Sequence, residues 1–187
     1  MDIAEVHATA LDATGVIVAG VGESQWALPT PCDDWDVRTL VNHIVTGNEW
    51  AAELAGGKSI EEVGDRLDGD VLGDDALVAY NESARRAAAA FRAPGALVAP
   101  CAVSYGPVPG EVYAGHRLLD TLLHGWDVAK ATNQPTNLDP SLVKAALAVL
   151  IPQADLLAGS GAFGTSTDPG EDADPQVRLL ALTGRRD

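Results

Sequence analysis

The chain has 187 residues, enough for one domain whose buried core needs no disulfide or metal staple. Twelve Lys and Arg against 27 Asp and Glu leave a formal charge of −15, a field that repels phosphate backbones and anionic membrane surfaces. Nucleic acid and membranes are therefore not expected partners. A hydrophobic fraction of 47% excludes wholesale disorder. The scattered charges leave no apolar run near the roughly 18 residues of a membrane span, and two cysteines cannot make a disulfide framework. The opening residues carry acid where a secretory signal carries Lys or Arg, so the cytoplasm is the expected location.

In chain order, Ile3, Val6, Ala10, Thr14 and Val18 predict a first helix over residues 3 to about 21. The stretch from Gln25 to Trp35, with Pro29 and Pro31, reads as an ordered loop anchored by its tryptophans. Asp36 is a good N-cap for a second helix, with Trp35 and Leu40 spaced as a hydrophobic staple and Gly56-Gly57 as its stop. Ser59 and Glu62 have capping-box spacing for one short turn, and Asp65 to Gly73 reads as solvated loop. A third long helix is expected from about Asp75 to Arg92, ended by Pro94-Gly95. Residues 96–110 then suggest a loose hairpin or extended crossover. A fourth is expected from Glu111 to Thr132, with Asn133 closing it. A fifth runs from Asp139 and Pro140 to about Leu157, interrupted at Pro152, and a last docked turn falls at 176–184. The expected fold is all-α: a four-helix bundle with a long crossover between the third and fourth main helices, over residues 1–158. An acidic Gly/Pro-rich tail is expected over 159–187.

One stripe stands out on the fourth helix. At about 100 degrees per residue, His116, Asp120, His124 and Asp127 fall near 0, 40, 80 and 20 degrees, and Tyr113 falls near 60. The rest of that helix is rich in Leu, so the stripe borders or enters the core. Burying a carboxylate and an imidazole there costs on the order of several kcal/mol unless they pair or bind a cation. An Asp and a His at i, i+4 reach one ion together, and His43 on the second helix, the one other histidine expected at the interior, is the candidate third ligand. Two imidazoles and one carboxylate leave positions open for water on a divalent ion, and they suit Zn(II), Ni(II) or Fe(II) about equally. The same spacing also describes an ordinary surface ion pair, and spacing alone does not choose.

Two segments, Thr30-Pro31-Cys32-Asp33-Asp34-Trp35-Asp36-Val37-Arg38-Thr39-Leu40-Val41-Asn42-His43 and Asp120-Thr121-Leu122-Leu123-His124-Gly125-Trp126-Asp127-Val128-Ala129, closely resemble the DinB-like metal-binding domain of mycothiol-dependent maleylpyruvate isomerases. Actinobacterial single-domain members of that family are also similar in the Pro-Gly before the fourth helix and in the terminal Leu-Leu-Ala-Leu-Thr-Gly-Arg-Arg. The resemblance implies that His43, Asp120 and His124 are metal ligands, with Asp where the isomerase has the longer Glu. It implies that Asp127 orients His124 or ties down the neighbouring loop. His116 is placed at the entrance or as a half-exposed bystander, Tyr113 as a hydrogen-bond donor to metal-bound water, and Trp50 as pocket wall. Cys32 is a reactive thiol or a packing residue.

The implied cofactors are one divalent ion, zinc or nickel, and mycothiol, a thiol made nucleophilic on the ion. The implied partners are that small-molecule thiol and an electrophilic substrate, with Arg38 or Arg117 available to a carboxylate and a homodimer compatible with the bundle faces. The isomerase proper carries a further C-terminal domain that this sequence is not expected to contain. Three readings stay open: a metal- and thiol-dependent transferase or isomerase, a non-catalytic metal-binding or interaction domain, and a metal-dependent hydrolase.

Overall fold

The computed structural model describes residues 2–153, 167 and 169–186, and it is mostly helical with one small hairpin. Acidic side chains cap the starts of several helices. Asp2 accepts from the Ala4 N–H ahead of α1 (Ile3–Ala19), and Asp36 accepts from the Thr39 N–H ahead of α2 (Val37–Ala55). The Ser59 and Glu62 capping box opens the single turn α3 (Ile60–Val63), and Asp75 caps α4 (Ala76–Arg92). Strands β1 (Pro100–Val103) and β2 (Gly106–Pro109) pair antiparallel, with Cys101 opposite Val108, and lead into α5 (Gly110–Ala131). Asn133, at φ 56, supplies the left-handed turn just after that helix.

Contacts divide the chain into two compact units, Met1–Thr136 and Asn137–Asp187. In the first, α1 packs on α4 and α5, α2 packs on the same two helices, and the hairpin lies against α2 and α5. One apolar cluster joins Leu11, Leu54, Phe91, Tyr113 and Ala114, and a second joins Val37, Leu40, Ile44, Tyr80 and Val128 with Trp35 packed against it. In the second unit, Asp139 caps α6 (Pro140–Leu150), a 3-10 turn follows at Ile151–Gln153 around Pro152, and α7 (Pro175–Leu182) packs on α6. The expected continuation of the fifth helix to Leu157 and most of the expected tail lie outside the described residues. No helix among the described residues is long and apolar enough to cross a membrane.

Two glycines let backbones meet. A Cβ on Gly125 would come within 2.5 Å of the Thr14 hydroxyl oxygen, which donates to the Thr121 carbonyl at 3.1 Å and so ties α1 to α5. A Cβ on Gly110 would fall on the Ala96 carbonyl oxygen, a backbone atom that no rotamer change removes. Gly110→Ala is expected to destabilise the protein by about 1–3 kcal/mol in a denaturant titration. A change below about 0.5 kcal/mol would contradict this packing.

Candidate metal centre

The site lies where α2, α5 and the loop before α2 converge. That loop is held by backbone bonds: Thr30 N–H donates to the Trp35 carbonyl, Val37 N–H to Leu28, and Arg38 N–H to Trp26. Asp34, at φ 65, makes the turn inside it. The loop therefore presents Cys32 and Trp35 in fixed positions. Trp35 packs over His43 with ring centroids 4.8 Å apart and lies 6.1 Å from His124.

His43, Asp120 and His124 come together. Asp120 Oδ1 lies 3.2 Å from His43 Nε2 and 3.6 Å from His124 Nε2, and the two imidazoles meet edge to face at 4.9 Å. The ligand atoms of all three residues lie within 4.8 Å of one another. On its other side, His124 Nδ1 is 3.0 Å from Oδ2 of the fully buried Asp127. An Nδ1–H donated to Asp127 leaves the Nε2 lone pair directed at Asp120 and His43, the tautomer a metal-binding imidazole needs. The donor set thus fits a borderline divalent ion by chemistry and by convergence.

Burial opposes ionisation of Asp120 most strongly. Arg117, the bond to His43 and the nearby His124 together outweigh it, so the carboxyl is held far below the usual range. Arg117 is itself buried, with Nη1 2.9 Å from Asp120 Oδ2 and Nη2 at 3.5 Å from the Asn48 side-chain oxygen. It is not a free lure for a substrate carboxylate. Nor is Arg38, whose guanidinium is occupied by Asp70 at 2.6 Å and by the Gly73 carbonyl.

The other expected residues fall elsewhere. His116 meets the exposed Tyr105 hydroxyl of the hairpin at 2.5 Å and belongs to neither candidate ligand group among the described residues. Tyr113 is buried edge-on against Phe91 at 5.7 Å, and burial pushes its hydroxyl up to about 12. Trp50 packs against the Leu54 and Phe91 cluster, and it is Trp35 whose ring packs on His43. Cys32 forms a second group with His124 and Asp127, its sulfur 3.4 Å from Asp127 Oδ2 and 3.7 Å from His124 Nδ1. Through the bond it donates to Asp127, Cys32 adds a second partner to the carboxylate that His124 faces.

One expectation is corrected. His43 is not the one other interior histidine: His7 on α1 is completely buried, while the His43 side chain is 37% exposed. His7 sits between Ala4, Ala8 and Leu11 on the buried face of α1, edge-on to Phe91, so the apolar spacing around it carried the signal.

Residues 7–129 match the family described as the mycothiol maleylpyruvate isomerase N-terminal domain. Two relatives from Mycobacterium tuberculosis, uncharacterized proteins of the strains CDC 1551 / Oshkosh and ATCC 25618 / H37Rv, are each 34% identical over 190 residues, covering 99% of this chain and 98% of their own length. The chain belongs to the mycothiol maleylpyruvate isomerase N-terminal domain family. No solved structure matches it significantly.

Proposed function

We propose that this protein is a DinB-like four-helix bundle that holds one divalent ion, zinc or nickel, on His43, Asp120 and His124. With mycothiol it acts as a transferase or isomerase on a small electrophile. The observation that carries this reading is the meeting of two imidazole Nε2 atoms and one carboxylate oxygen, with the far side of His124 tied to buried Asp127. When bound, the ion lowers the pKa of a coordinated thiol and makes it a thiolate near neutral pH.

The protein's own residues do the rest. His43, Asp120 and His124 hold the ion, and Asp127 accepts the His124 Nδ1–H and fixes its ring plane. Cys32 donates to Asp127, and Trp35 covers one flank of the two imidazoles and limits water there. A thiol bound beside this wall would supply a nucleophile for reversible addition to an activated double bond, the chemistry of a cis/trans isomerisation. The same nucleophile would serve an S-transfer in which a leaving group departs from the electrophile.

Protein loaded with zinc or nickel should consume 1-chloro-2,4-dinitrobenzene or isomerise maleylpyruvate only when mycothiol is present. Hydrolysis of an activated ester without any thiol would move the reading to a hydrolase. Metal binding with neither activity would leave a non-catalytic metal-binding or interaction domain.

A further inference from the structure

Arg117 is unusual in being a buried guanidinium on the helix that carries Asp120 and His124. It fits because α2 has Gly47 opposite it: a Cβ there would come within 2.5 Å of both Nη1 and Nη2 and 2.6 Å of Cζ. The guanidinium therefore lies in a notch in the α2 surface. Asn48 holds its Nη2 and in turn donates to Ser83 of α4 at 3.2 Å. From that seat Nη1 reaches Asp120 Oδ2 at 2.9 Å, and Oδ2 makes no hydrogen bond among the described residues. Oδ1, the other oxygen, faces both imidazoles. The two oxygens of one carboxylate are thus divided between a fixed cation and the candidate ion site.

We propose that Arg117, seated in the notch at Gly47, restricts Asp120 to one donor oxygen and cancels its charge, so that a divalent ion on His43, Asp120 and His124 keeps a coordination position for an exogenous thiolate. This rests on those three residues being the ion's ligands, and Arg117 acts through Asp120 as a positioning residue. Two consequences follow from charge. With neutral imidazoles, and with Asp120 already paired to Arg117, the three ligands bring little net negative charge to the ion and Asp127 reaches it only through the His124 ring, which favours an anionic fourth ligand. Removing Arg117 also removes a cation near the ion and frees Oδ2. Both changes should strengthen metal binding while closing the position left for the thiol. A role in structure alone would weaken binding or leave it unchanged.

The test is Arg117→Met compared with the unsubstituted protein, both titrated with Co(II) against a chromogenic chelator and then with 2-mercaptoethanol. In the unsubstituted protein, added thiol should raise a sulfur-to-cobalt charge-transfer band. In Arg117→Met, Co(II) should bind at least about tenfold tighter, with weaker visible d–d bands from a higher coordination number, and added thiol should raise no new band. Gly47→Ala, which evicts the guanidinium without removing it, should shift affinity and spectrum in the same direction and serves if Arg117→Met does not fold. Unchanged or weaker Co(II) binding with an unchanged spectrum and an unchanged thiol response, in whichever variants fold, would overturn the role of Arg117 and leave the ligand assignment standing. Failure of the unsubstituted protein to bind Co(II) would overturn both.

Discussion

His124→Ala is expected to lower affinity for a divalent ion by more than about 100-fold, read by competition with a chromogenic chelator, while the helical circular-dichroism spectrum stays close to that of the unsubstituted protein. The imidazole occupies the centre of the site: Nε2 is 3.6 Å from Asp120 Oδ1 and Nδ1 is 3.0 Å from Asp127 Oδ2. Its removal takes away a donor and, with it, the partner of a buried carboxylate. The latter should cost about 1–3 kcal/mol of stability, softened by the Cys32 thiol that still donates to Asp127. Asp127→Asn keeps the donor but changes what orients it, so its loss of affinity should be about 10–100-fold. A larger loss from Asp127→Asn than from His124→Ala would reverse the assigned roles.

The second large effect is on stability against acid. His7 is completely buried and both of its ring nitrogens lack a hydrogen-bond partner among the described residues. Burial first, then the positive charges of Arg117 and Arg92, lower its pKa to about 3, against a weak opposing pull from Asp120. In the unfolded chain it titrates near its ordinary value of about 6.5. Between those values the unfolded state binds the extra proton. Stability from this group is therefore fully present above about pH 6.5 and is lost as pH falls toward 3. The slope is about 1.4 kcal/mol per pH unit, or about 2 kcal/mol between pH 6.5 and pH 5. His7→Leu has similar volume and breaks no hydrogen bond, so its unfolding free energy should fall by about 2 kcal/mol less over that interval than that of the unsubstituted protein. Parallel pH profiles for the two proteins would refute the buried, neutral state of His7.

Much of this site is visible in the sequence because it is periodic. Asp120, His124 and Asp127 share one side of a helix whose remaining positions are mostly apolar, and the caps at Asp2, Asp36, Asp75 and Asp139 mark helix starts by local chemistry alone. His43 is reachable by asking which other helix can offer an imidazole. What stays hidden depends on contacts between distant segments. Trp35 covers His43 because the loop from Leu28 to Asp36 folds back on its own backbone, an arrangement no periodicity encodes. Arg117 reads as a solvent-facing charge until Gly47, 70 positions earlier, is seen to leave room for it. Tyr113 shares the angular sector of Asp120 but stands two turns away along the helix axis, where Phe91 is its neighbour, so angle without height misplaced it.

In the proposed site, His43, Asp120 and His124 hold the ion and Cys32 does not touch it. X-ray absorption at the zinc edge, on protein loaded with zinc and free of added thiol, tests this arrangement most directly. The expected result is about one zinc per chain, a first shell of nitrogen and oxygen only, and the outer-shell scattering of two imidazoles. A sulfur in the first shell would place the ion on the Cys32, His124 and Asp127 side of the imidazole and contradict the assignment, as would a protein that takes up no zinc.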